Sequence, residues 1–283
     1  MRPRRGFTLV EVLVALVIMG IVTGAIYSLL HNTQRLSLAQ AEQVDLQSNV
    51  RTGSLVVPNE LRELNTVLGS LDPTQNDVLD ADADGIQYRA MRGLGTVCVA
   101  PAVGAIELRL ARSTWTGLRE IDAARDDLYL FVDGDPDEDG DDAWLPVVVI
   151  NAAASANACG GAPGIVLTTS PLLAVPLNTP VRVYEEMELR LYNPDGNWWL
   201  GARSVSAGEN LQPVIGPLTN DGLLLEYLNS AGAVTADPTA IQSIRVTVRG
   251  LSQDAVRAHG TGAVARQQEA LVTQVLLRNS IRP

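Results

Sequence analysis

No lysine occurs in the 283 residues, so all 21 basic side chains are arginine. The arginine fork suits bidentate pairing with carboxylates. Against the 21 stand 32 acids, and a net charge of −11 argues against a nucleic-acid partner, which wants a basic face. It argues equally against an anionic lipid surface gripped through a basic patch. Histidine is nearly missing: only His31 and His259 occur, and neither sits in an H-E-x-x-H frame. There is no P-loop and no G-x-S-x-G elbow, and pairs such as Glu185-Glu186 read as surface charge rather than an acid/base couple. The chain therefore reads as a protein that is not an enzyme. Two cysteines, Cys98 and Cys159, are too few for a zinc site, and no histidine neighbours either. Proline is missing from Phe7 to Val57, so nothing there forbids one continuous helix.

What is present is concentrated at the N-terminus. Arg2, Arg4 and Arg5 precede a glycine, Gly6, and from Phe7 the chain is apolar almost without break to Leu30. As a helix that run is about 36 Å long, enough to cross a hydrocarbon core of roughly 30 Å with some tilt. The flanking arginines place the N-terminus in the cytoplasm and everything after about residue 31 on the far side. One acid, Glu11, lies inside the run. A carboxylate at membrane depth is costly and reads as functional, with a partner to be named. A cut after Gly6 would create that partner, a free α-amine on Phe7. An ordinary signal anchor or a secretory signal is the alternative, but a secretory cut follows the apolar core rather than preceding it.

The stretch Arg5-Gly6-Phe7-Thr8-Leu9-Val10-Glu11 resembles the class III signal peptide of type IV prepilins and type II secretion pseudopilins. The resemblance implies cleavage after Gly6 by a prepilin peptidase/N-methyltransferase, and methylation of Phe7. It implies that Glu11 neutralises the Phe7 amine of a neighbouring subunit during assembly. It also implies a disulfide between the exported Cys98 and Cys159, where free thiols are the alternative. The organisation expected is a leader over 1–6, a membrane helix over 7–30, its exported continuation over 31–66 and a β-rich head over 67–283. The expected location is the inner membrane, single pass, with the head periplasmic or exported and on the cell surface once in a filament.

Downstream of the membrane run, Leu36, Leu38, Val44, Leu46, Val50, Leu55 and Val57 give a sparse apolar stripe for a helix lying on a head. Pro58 predicts a kink or a new first turn. Gly20 and Gly24 form a G-x-x-x-G spacing that permits close helix approach and also weakens the helix locally. Beyond residue 70 the pattern is of strands. Alternation marks Ile86–Arg92, Thr96–Val99, Ala105–Leu110, Asp127–Val132, Val181–Tyr184, Met187–Tyr192 and Ile244–Arg249. Leu145–Ile150 reads as a buried strand, and Asn193–Asn197 as the turn of a hairpin returning through Trp198-Trp199. Of those two tryptophans at most one should be core, which leaves the other as a contact surface. The fold class expected is α+β, type IV pilin-like, with a long N-terminal helix on an antiparallel β-sheet head.

Gly222–Leu228, Ile241–Val248 and the last strand ending at Leu276-Leu277 look like the head of PilW-type minor pilins and of the J-type minor pseudopilin. These resemblances imply a minor pilin that initiates or caps a type IV pilus, with other minor and major pilins or pseudopilins as partners. A J-like pseudopilin of type II secretion and a pilin-anchored adhesin or ligand-binding head are the alternatives. Two acidic segments, Asp80–Gly85 and Asp135–Gly140, space carboxylates as calcium loops do, but neither has the glutamate an EF-hand needs at its twelfth position. The second carries the calcium reading through Asp135, Asp137 and Asp139; a solvated turn is the alternative.

Overall fold

The chain is described by a computed structural model covering residues 8–66, 76–133, 137, 143–257 and 264–277. One helix, α1 (Leu9–Arg62), runs for 54 residues, about 81 Å at 1.5 Å per residue. Thr8 caps it, and its first half is long and apolar enough to cross a membrane while packing on nothing in the head. The helix continues past Pro58, and no new first turn begins there. The proline is buried on the face that meets the sheet, so packing offsets the hydrogen bond it removes. The buried stripe is Leu46, Val50, Gly53, Ser54, Val57, Pro58 and Leu61. Leu36, Leu38, Val44 and Leu55, expected to join it, are exposed. The head selects small residues where the helix comes close, and an apolar stripe sought in large side chains alone misses them.

Among the described residues twelve strands follow, all paired antiparallel. They are β1 (Val78–Asp82), β2 (Gly85–Val99), β3 (Glu107–Ala111), β4 (Asp126–Val132), β5 (Ala143–Val147) and β6 (Val149–Cys159), then β7 (Ala162–Thr169), β8 (Pro180–Tyr192), β9 (Trp198–Ser204), β10 (Gln212–Leu228), β11 (Ser243–Arg257) and β12 (Val264–Leu276). Their order is β12-β11-β10-β9-β8-β2-β3-β7-β6, with β1 beside β2 and the β4–β5 hairpin beside β8. The fold is α+β, a long N-terminal helix on a large antiparallel sheet. α1 lies on β10, β11 and β12. Under it Val57 and Leu61 meet Leu225, Ile244, Val246 and Val248 in one core; Leu108, Leu110, Leu128, Leu130, Leu167 and Val183 build a second, away from the helix.

Several expected strands merge. Ile86–Arg92 and Thr96–Val99 are one strand, β2, with an irregularity between Met91 and Gly93. There Gly93 leaves room for the Trp115 indole, since a Cβ would stand 2.4 Å from its ring. Val181–Tyr184 and Met187–Tyr192 are both β8. Leu145–Ile150 is not one buried strand. β5 ends at Val147 and β6 starts at Val149 on a different neighbour, with Val148 55% and Ile150 63% exposed. The remainder of β6, rich in Ala and Asn, has no apolar alternation to reveal it.

Candidate functional site

At the start of α1, Thr8 and Glu11 close a reciprocal capping box. The Glu11 amide donates to Thr8 Oγ1 at 3.3 Å, and Glu11 Oε2 accepts from the Thr8 amide at 3.1 Å and from its hydroxyl at 3.2 Å. The carboxylate that the sequence assigns to a neighbour's amine thus also caps its own helix. Its second oxygen has no partner among the described residues. Val12, Ala15, Leu16 and Met19 surround it with an apolar surface. In hydrocarbon such an oxygen needs a cation or a donor. Gly6 and Phe7 lie outside the described residues. Gly20 and Gly24 leave open space beside the helix, where a Cβ would meet nothing within 4 Å.

Glu185, read from the sequence as surface charge, is buried. Its Oε2 is 2.8 Å from Arg92 Nε and 3.1 Å from Arg119, and Arg125 stands 3.6 Å from Oε1. Glu185 sits directly opposite Asp126 in the β4–β8 ladder. Facing acids repel. Arg119 resolves this by chelating Asp126 at 2.5 and 2.7 Å while also reaching Glu185. Arg92 extends the network to Glu60 near the end of α1, at 3.9 Å. A signal existed in the sequence: Glu185 is in phase with the buried Val181 and Val183 on one strand. The network stabilises and positions these strands.

The first acidic segment is a hairpin rather than a loop, with Asp82 opposite Gly85. Its carboxylates already hold a cation, the Arg190 guanidinium, at 2.8 Å from Asp82 and 3.5 Å from Asp84, with Glu188 at 2.7 Å. In the second segment Asp135 and Asp139 lie outside the described residues, and Asp137 is exposed in a turn. Among the described residues no group of three acids, histidines or cysteines is placed to hold a metal ion.

Trp198 and Trp199 are both half-buried. Trp198 packs on the core beneath α1, whereas Trp199 lies against Gly216, where a Cβ would come within 2.5 Å of the ring. Trp199 also lines a groove of about 250 Å³ between the flank of α1 and the sheet, together with Glu42, Asp45, Asn49, Gln253 and Arg266. Elsewhere Cys98 and Cys159 are disulfide-bonded with Cα atoms 5.4 Å apart. They belong to β2 and β6, which β3 and β7 separate. At about 4.8 Å per strand a flat sheet would put β2 and β6 roughly 14 Å apart, so this patch curls back on itself. Arg109 of β3 supports the curl by donating to the Ala158 carbonyl at 3.1 Å.

Residues 1–27 match the family described as the prokaryotic N-terminal methylation motif. The matched span contains the capping box and most of the apolar run of α1, and it ends before the head begins. No curated protein and no solved structure matches the chain.

Proposed function

We propose that this chain, whose N-terminus matches the prokaryotic N-terminal methylation motif, is a minor pilin that initiates or caps a type IV pilus. Proteins of this class are structural, and prepilin-type processing and assembly with other pilins follow from the motif. The observation that carries the assembly reading is Glu11, a half-satisfied carboxylate on an apolar surface, four residues along the chain from the amine that cleavage after Gly6 would create. Lateral packing of the membrane helices brings the carboxylate of one subunit to the amine of the next. The head, held on α1 by its second half, then presents its surface to other minor pilins. A J-like pseudopilin role uses the same machinery, and the identity of the pilins that co-purify separates the two.

The test is Glu11→Ala in the chain's own host. The variant is expected to accumulate in the membrane, cleaved to an N-methylated Phe7 by mass spectrometry, yet to be depleted at least about tenfold from isolated filaments or minor-pilin complexes, the effect of withholding about 1.4 kcal/mol. Normal incorporation, or a mature N-terminus elsewhere, refutes the reading.

A further inference from the structure

The groove beside α1 has a charge pattern that the head itself leaves incomplete. Its α1 wall carries Glu42, Asp45, Ser48 and Asn49, and facing it stand Trp199, Gln253 and Arg266. Arg266 is occupied: it donates to Asn197 Oδ1 at 3.3 Å and to the Gln253 carbonyl at 2.8 Å. Glu42 accepts one bond, from the Asp254 amide at 3.2 Å. Asp45 has no hydrogen bond or ion pair among the described residues. Two carboxylates against one engaged guanidinium leave the groove net negative. An indole within it adds a face that attracts cations.

We infer that this groove receives a basic side chain, arginine or lysine, presented by a neighbouring pilin-type subunit. The inference rests on the assembly role proposed above. It commits to a neighbouring subunit because the groove opens on the flank of α1 that continues, exposed, through Ala41 and Leu38 toward the membrane half. Subunits packed through their membrane helices pass one another along that line. Asp45 would take the cation, Trp199 would stack on it, and the Asn49 and Gln253 side-chain oxygens could accept its remaining donors. A small neutral ligand would leave Asp45 unpaired.

Two measurements test this. In detergent micelles, arginine amide is titrated into the full chain against citrulline amide, its neutral isostere, with the Trp199 indole resonance as readout. Saturable shifts with arginine amide only, weakened about fivefold in Asp45→Asn, are expected from one partly exposed charge pair. Equal responses to both probes, or an unchanged Asp45→Asn, overturn the inference. In the host, a photo-crosslinker at Gln253 should capture a pilin subunit, with a yield at least fivefold lower in Asp45→Asn. Absent or unchanged crosslinks in a chain that still co-purifies with pilins overturn the groove and leave the assembly role standing. Failure to co-purify at all removes the assembly role and this inference with it. Because Asp45 is exposed and unpaired, its substitution is expected to leave the melting temperature unchanged, which separates lost binding from lost folding.

Discussion

At Glu185 burial and charge pull in opposite directions. Burial pushes its carboxyl up, but hydrogen bonds from Ser204 and Arg92 and the charges of Arg92 and Arg119 hold it below the ordinary glutamate value. Glu188 behaves likewise beside Arg190 and Arg203. A carboxyl held low in the folded chain stabilises it above the unfolded pKa, and that stability is lost as pH falls through the folded pKa. Asp77 has the opposite sign. Burial outweighs Arg182 and raises its carboxyl, so its contribution is full below the unfolded value and fades as pH rises through the folded one. Glu185→Gln removes the buried carboxylate that Arg92, Arg119 and Arg125 share, leaving each only its other acidic partners, and is expected to cost about 3 kcal/mol at neutral pH. Urea unfolding of both chains between neutral pH and about pH 3 checks this, since the variant should lose less stability on acidification. Parallel pH curves would assign the acid sensitivity elsewhere. The strand phase of Glu185 was legible, but its three arginines come from β2 and the segment before β4, and no local pattern joins them.

Between elements, the contact that fixes α1 on the sheet is made by a missing side chain. A Cβ on Gly250 of β11 would stand 2.4 Å from Val50 Cγ2 and 2.7 Å from Leu46 Cδ1. Gly250→Ala is therefore expected to lift the helix from β11 and cost about 1–3 kcal/mol by overpacking. Thermal melting of the full chain in detergent measures it; an unchanged melting temperature would mean that helix and sheet are not tightly docked at this point. The helix itself, most strands and the Asn193–Asn197 hairpin turn were legible because each is written in local periodicity. Gly250 was not, because a glycine within a strand announces a close approach without saying to what. The same holds for β6, whose Ala- and Asn-rich strand is specified by β7 and the curl rather than by its own alternation.

For the whole molecule, the disulfide ties the curled patch that carries the second core. In the chain-entropy model closing a loop of about 60 residues stabilises by roughly 4 kcal/mol. Cys98→Ser is expected to loosen β6 and β7 while leaving β11 and β12 on α1, because the two cores share no side chain. Hydrogen exchange by segment distinguishes this from global loss: uniform deprotection of β12 along with β6 would show one cooperative core. At the N-terminus the methylation motif matched over residues 1–27 was legible because membrane burial imposes its own strict pattern. The groove was not, because its walls come from residues 42–49, 197–217 and 251–266 and only the fold assembles them.

The attachment of α1 to β11 and β12 also sets an order of events. Leu46–Leu61 is synthesised about 200 residues before its partners at residues 243–276. At 5–20 residues per second, about 10–40 s separate them. For that interval the stripe has at most β10 of its three partner strands to lie on, and no partial chain lacking the final hairpin can bury it fully. The head therefore completes its fold only after residues 243–276 are made, and a truncation near residue 240 should leave much of this helix face exposed and sticky.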